Sequence, residues 1–306
     1  GAQNGILTDV EDVTITLLDN TKTLALKSSP FMGLSAGAVS WGDYDRDGDK
    51  DVAIMGQSNL LWAVTLLYEN VEGEFVNTNQ NFAKLYGGDI TWVDLNKDGW
   101  IDLVVSGLDG AAPQTKVYMN NGGTYFEPTN GYGLPQLFST KMAWGDLDND
   151  GDIDLAIAGQ DAGNNYVFDV YYKEDTTNNF VKEPLFNRGG FINGDLKIVD
   201  IDLDGDNDII YNGENSSGDP VSGYILNSYI RTSTDYYELF NYNRFDNSSW
   251  ESFRYKNASI EVAKLKAGQS NHLSIISSGE DSNGTVKLFS NEYLYGGDGM
   301  SAPDFP

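Results

Sequence analysis

Four copies of one short stretch hold the residues of this chain whose types and spacing can do chemistry. They run Asp43-Tyr44-Asp45-Arg46-Asp47-Gly48-Asp49-Lys50-Asp51, Asp94-Leu95-Asn96-Lys97-Asp98-Gly99-Trp100-Ile101-Asp102, Asp146-Leu147-Asp148-Asn149-Asp150-Gly151-Asp152-Ile153-Asp154 and Asp200-Ile201-Asp202-Leu203-Asp204-Gly205-Asp206-Asn207-Asp208. Oxygen-bearing side chains stand at positions 1, 3, 5 and 9 of each, with glycine at position 6. Acids at that density repel one another when unpaired, and the glycine permits the turn that aims them at one point. The pattern asks for a hard cation.

Calcium suits it best, because it accepts six to eight oxygens at about 2.3 to 2.6 Å in a flexible shell, whereas magnesium demands a stricter octahedron. The expected ligands are the side chains at positions 1, 3, 5 and 9, with the carbonyl at position 7 (Asp49, Trp100, Asp152 and Asp206). The first half of each stretch is that of an EF-hand loop, but position 12, where that loop carries a bidentate Glu, is Ile54, Val105, Ile157 or Tyr211. The flanks, such as Asp51-Val52-Ala53-Ile54-Met55, are β-like and not helical. Each acidic loop therefore joins two strands.

Successive loops begin 51, 52 and 54 residues apart. Trp41, Trp92, Trp144 and Ile198 stand two residues before each first Asp and are expected to be buried between repeats; Gly56, Gly107, Gly159 and Gly213 stand thirteen after it and are expected to close the next strand. Tyr-bearing apolar runs follow, then Phe75, Phe126 and Phe180 after polar turns. Such a period, carrying four strands, is the sequence signature of a β-propeller blade, and blades bury their faces only by stacking. The expectation is an all-β, single-domain propeller over residues 1–306, with five blades favoured and six possible. Its repeats cover about 35–86, 87–138, 139–192, 193–255 and 256–295; strands within 12–27 complete the ring and 296–306 form a tail. The fifth repeat is degenerate, its acids replaced by Ala263, Lys264 and Lys266, and is expected to hold no cation.

These residues resemble the FG-GAP and VCBS repeats of integrin-α-like propellers over about residues 35–290. The resemblance implies calcium ligands at Asp43, Asp45, Asp47 and Asp51; Asp94, Asn96, Asp98 and Asp102; Asp146, Asp148, Asp150 and Asp154; and Asp200, Asp202, Asp204 and Asp208. The scaffold is shared by adhesion receptors, bacterial surface proteins, lectins and some polysaccharide-degrading enzymes, so it does not fix function.

The formal charge is −27, a field that repels nucleic acid and anionic membranes, and four bound calcium ions would still leave about −19. No run of about 20 apolar residues is present to insert in a membrane. With no cysteine and one histidine, His272, the chain has no disulfide framework, no zinc cluster and a poor basis for a serine triad. Low-affinity calcium loops point to a secreted or cell-surface setting, as part of a larger surface protein.

Antiparallel order puts the acidic loops on one face and the second-to-third-strand connections on the other. Those connections are expected to be longer loops, Gln57–Leu61, Leu108–Gln114, Gln160–Asn165, Glu214–Val221 and Glu280–Asn283, with Leu85–Asp89, Gly131–Ser139 and Arg188–Asp195 beside them. Gln57, Asp109, Gln160 and Glu214, with Trp62 or Tyr132 as a platform, are the candidate ligand-binding residues there. The expected function is a calcium-stabilised adhesion or binding module that recognises a glycan or protein through that face. The alternative is a carbohydrate-active enzyme, or its propeller part, using a carboxylate pair.

Overall fold

The computed structural model describes residues 30–110, 112–123, 126–129, 132–174, 179–184, 186, 188–201, 204–231, 236–243, 256–263, 272–280 and 286–294. Two compact units divide the chain, Gly1–Phe31 and Met32–Pro306, and every element below belongs to the second. The strands expected within 12–27 and the tail 296–306 lie outside the described residues.

The described residues form five antiparallel sheets, each in simple chain order. The first contains β1 (Leu34–Gly42), β2 (Asp51–Ser58), β3 (Ala63–Val71) and β4 (Glu74–Asn77); the second β5 (Tyr86–Val93), β6 (Asp102–Asp109), β7 (Ala112–Asn120) and β8 (Phe126–Thr129). The third contains β9 (Phe138–Gly145), β10 (Asp154–Gln160), β11 (Tyr166–Lys173) and β12 (Phe180–Lys182); the fourth β13 (Ile192–Val199), β14 (Asp208–Glu214), β15 (Pro220–Arg231) and β16 (Tyr236–Asn243). The fifth has β17 (Lys256–Ala263), β18 (His272–Glu280) and β19 (Val286–Leu294).

The second strand of each of the first four sheets carries an apolar run because both its faces are covered. Leu103 and Val105 of β6 pack with Ala53 and Met55 of β2, whereas Val104 between them packs with Leu155 and Ile157 of β10. The alternation continues: Ala156 and Ala158 meet Ile209 and Tyr211, and Ile210 meets Ile260 and Ile275. The core is thus a series of slabs between neighbouring sheets. First strands pack in succession, β1 on β5, β5 on β9, β9 on β13 and β13 on β17.

Trp92 and Trp144 take the expected places between sheets. The Trp92 indole N–H donates to the Ser40 carbonyl at 3.2 Å, and that of Trp144 to Thr91 Oγ1 at 2.9 Å. Gly42 and Gly145 make room, since a Cβ there would lie 2.6 Å from Ile101 and 2.5 Å from Ile198 respectively. Trp41 departs from the expectation: it is 54% exposed, resting edge-on against Phe75 of its own sheet.

In every sheet two first-strand residues oppose one residue of the second strand, a β-bulge that bends the strand. The single opposing residue is Gly56, Gly107, Gly159, Gly213 or Gly279, which explains the glycine that keeps phase with the acidic loops. A Cβ on Gly107 would meet the Tyr86 carbonyl oxygen at 2.6 Å, and one on Gly213 the Ile192 oxygen at 2.7 Å. Gly107→Ala is therefore expected to destabilise the fold by about 1–3 kcal/mol, read as a lower urea midpoint at unchanged slope.

The connections expected to be long are short. Second and third strands are joined by residues 59–62, 110–111, 161–165 and 215–219, and Leu108–Gln114 belongs almost wholly to β6 and β7. The longer connections run from fourth strand to next first strand, 78–85, 130–137 and 183–191.

Candidate functional site

The acidic stretches connect first to second strands, and their local sequence folds them inward. Backbone N–H groups two residues on donate to the acids: Asp47 N to Asp45 Oδ1 at 3.2 Å, Asp49 N to Asp47 at 2.8 Å, Trp100 N to Asp98 at 2.8 Å and Asp152 N to Asp150 at 2.7 Å. Gly99, Gly151 and Gly205 donate back to the first Asp of their loops at 2.8, 2.9 and 3.2 Å, from left-handed conformations with φ of 85°, 88° and 104°. Asp202 and Leu203 lie outside the described residues.

Side-chain oxygens converge as a result. Those of Asp43, Asp45 and Asp51 lie within 4.8 Å of one another, as do those of Asp146, Asp148 and Asp154. In the second loop, Asn96 Nδ2 donates to Asp98 Oδ2 at 2.9 Å. Oδ1 of Asp43, Asp94 and Asp146 is buried without a hydrogen-bond partner. A carboxylate oxygen in that state carries an uncompensated desolvation cost, which a cation among these all-oxygen donors would remove. The residues fit a bound hard cation.

The ninth position is different in kind. Asp51, Asp102, Asp154 and Asp208 are fully buried, and each accepts two backbone N–H bonds. One comes from position 2 of its own loop: Tyr44 at 3.1 Å, Leu95 at 2.9 Å, Leu147 at 2.8 Å and Ile201 at 2.7 Å. The other comes from the third strand: Asn70 at 2.8 Å, Asn120 at 2.7 Å, Lys173 at 3.0 Å and Asn227 at 2.8 Å. Burial pushes Asp51 and Asp102 up to about 6 and Asp154 up to about 8, although the two N–H donors pull the other way. Asp148 is pushed up to about 6 by burial and by the charge of Asp150.

The third-strand asparagines were not anticipated from the sequence. Their amides donate to the position-8 carbonyls, Asn70 to Lys50 at 3.2 Å, Asn120 to Ile101 at 3.2 Å and Asn227 to Asn207 at 3.1 Å. Asn120 also donates to the Tyr44 carbonyl of the preceding loop at 2.7 Å, and Asn227 to that of Leu147. Asn70-x-x-Gly73 and Asn120-x-x-Gly123, each asparagine accepting from its glycine N–H at 2.8 and 2.7 Å, were the available signal. The loops also touch in sequence through position 4 of one and position 7 of the next. Arg46 lies over the Trp100 ring at 4.2 Å, Lys97 pairs with Asp152 at 2.5 Å, and Asn149 donates to Asp206 at 2.5 Å.

This repeating unit has a counterpart among known families: the FG-GAP-like repeat matches residues 43–105 and, overlapping, 94–157, each time from the first Asp of one loop into the strand after the next. Residues 43–157 carry FG-GAP-like repeats. No curated protein matches it. Among solved structures it is similar to a GH43 endo-arabinanase from Bacillus licheniformis, with TM-score 0.38 and 11% identity over 85% of this chain and 93% of that one.

At the other end of these repeats, the candidate ligand residues are spread over four sheets. Gln57 Nε2 donates to the Leu61 carbonyl at 3.3 Å and Gln160 Nε2 to that of Asn164 at 3.2 Å, so both amides brace their own turns. Asp109 is exposed and Glu214 half-buried. Trp62 is 70% exposed beside exposed Leu60 and Leu61. Tyr132 is no platform: it packs on Phe180, and its hydroxyl meets Met119 Sδ at 3.2 Å.

The raised carboxylates set a pH dependence. An acid whose folded pKa exceeds its unfolded value favours folding when protonated, and that contribution is lost as pH rises from the ordinary 3.8 through about 6 to 8. Without divalent cations, the melting temperature is expected to rise as pH falls from 8 to 5. Saturating cation should flatten or invert that trend, which thermal melts along a pH series would reveal.

Proposed function

We propose that the chain is a calcium-stabilised binding module of a secreted or surface-anchored protein. It is built as a five-bladed propeller and recognises a glycan or protein ligand through the face opposite the calcium loops. The observation that carries the reading is the buried, unpartnered carboxylate oxygen at the head of three loops, in two of which, those of Asp43 and Asp146, further carboxylate oxygens converge with it. An ion there would supply charge neutralisation and no chemistry. Calcium fits the donor set through its preference for many oxygens in a loose shell, and calcium abundance outside the cell fits half-exposed loops of this kind. Because the loops are bound to one another and to the third strands, their role is to hold the repeats. The opposite face is then the one available to a partner, and it presents Trp62, an exposed aromatic surface suited to a sugar ring or an apolar side chain.

An ion bound only by the folded state stabilises it by mass action. Chelation with EGTA should lower the melting temperature by several degrees, and Asp146→Ala should lower it while leaving ligand specificity unchanged. A melting curve indifferent to EGTA would sink the calcium assignment. A glycan array probed with the calcium-loaded protein checks the rest: capture without new reducing ends supports a binding module, and turnover of a captured glycan overturns it.

A further inference from the structure

The five first strands converge on one cavity of about 350 Å³. Its wall is made at the β-bulges, at the strand ends remote from the acidic loops. One residue per sheet takes a left-handed conformation there: Ala36 at φ 46°, Gly87 at 63°, Ser139 at 50°, Asn193 at 52° and Asn257 at 50°. The same backbone recurs whatever the residue, so the bulge belongs to the packing of first strands and the side chains on it are free to vary. The variation is one-sided. The first two sheets contribute only Ala and Gly, whereas the next three add Ser139, Lys141, Asn193 and Asn257 to Gly194, Ala258 and a Thr140 whose hydroxyl is bonded to Ser106.

None of these four side chains has a hydrogen-bond or ion-pair partner among the described residues, unlike the amides of Gln57 and Gln160 on the outer turns. Asp89 and Asp195 stand at the same strand position as Lys141 but are buried, bonded across to the next sheet through Met142 N at 2.9 Å and Ile260 N at 2.8 Å. Asp195 Oδ2 also faces the Lys197 ammonium at 3.8 Å, and burial pushes Asp89 up while the nearby Lys141 charge pulls it back, so both signs of charge stand near the wall. Among the described residues, no aromatic or branched apolar side chain lines the cavity. An apolar ligand would leave polar groups unpaired, and a charged one would meet Lys141 or the two carboxylates unfavourably. A neutral group carrying several hydroxyls, each both donor and acceptor, matches amides, hydroxyl and ammonium together. The volume lies at the small end for ligand sites.

We propose that this cavity binds a neutral polyhydroxylated ligand, of roughly one to two sugar rings, held by Ser139, Lys141, Asn193 and Asn257. The inference rests on the glycan-binding reading above and sharpens it from a face to a site.

The test uses the full chain with calcium and ligand-observed NMR titration of glucose, galactose, mannose and xylose, with glucuronate and glucosamine as charged comparators. At least one neutral sugar should bind in the millimolar range in preference to its charged relatives. The double variant Asn193→Gly/Asn257→Gly removes both amides while keeping residues that accept the left-handed backbone, and should weaken binding about tenfold or more at unchanged melting temperature. Asn193→Asp, which keeps the shape and adds a charge, should turn preference toward glucosamine. No neutral sugar binding, preference for glucuronate, or full binding by the double variant overturns the site. Loss of binding in Trp62→Ala with full binding by the double variant also overturns it, while leaving the module reading standing.

Discussion

Each of the first four repeats is organised around a carboxylate that is fully buried and yet held only by backbone. The ninth-position aspartate accepts one N–H from its own loop and one from the third strand, so a single side chain fixes the loop's exit, its second residue and the strand two places away. Burying a charge this way is unfavourable in isolation, and the displaced ionisations of Asp102 and Asp154 express that cost. With that residue in place, the loop must curl over it, which directs the remaining oxygens inward and, in the first three loops, leaves Oδ1 of the first aspartate without a donor. The anchoring carboxylate and the candidate cation site are one structure.

The same anchor explains the contacts between sheets. Once the third strand is tied to the loop, its asparagine stands where the amide reaches both its own loop and the preceding one. Slabs of Leu, Val and Ile then supply the burial, with alternate residues of each second strand serving alternate neighbours.

Much of this was legible in the sequence because it repeats. The phase of Asp, Gly and Trp placed the loops between strands and gave the antiparallel order. What repetition could not show is what depends on neighbours. Trp41 has the residue type and phase of Trp92 but is exposed, since burial is set by what lies against a sheet and not by its own sequence. The polar residues after the phase glycine read as loop because strand ends at a hairpin are polar; the ladders continue to Asp109 and Glu214. The glycine itself looked like a strand terminator and is the partner of a bulge. The asparagines were missed because their partners are carbonyls, which leave no mark in sequence, and because the third repeat carries Lys173, whose ammonium reaches Asp152.

The loop-to-loop contacts have a direction. The first three repeats offer a donor at the fourth position, the second to fourth a receiver at the seventh, and every described link runs from one repeat to its successor. A gene segment encoding one such unit could be copied or deleted in register and still find both halves of the coupling satisfied, with no compensating change elsewhere. The series also carries its own terminator: the fourth loop has Leu203 where its predecessors have Arg46, Lys97 and Asn149, and the next repeat has lost its acids altogether. Heredity by tandem duplication would leave this trace, a polar coupling propagated along the array and ended by an aliphatic residue at its last acidic member.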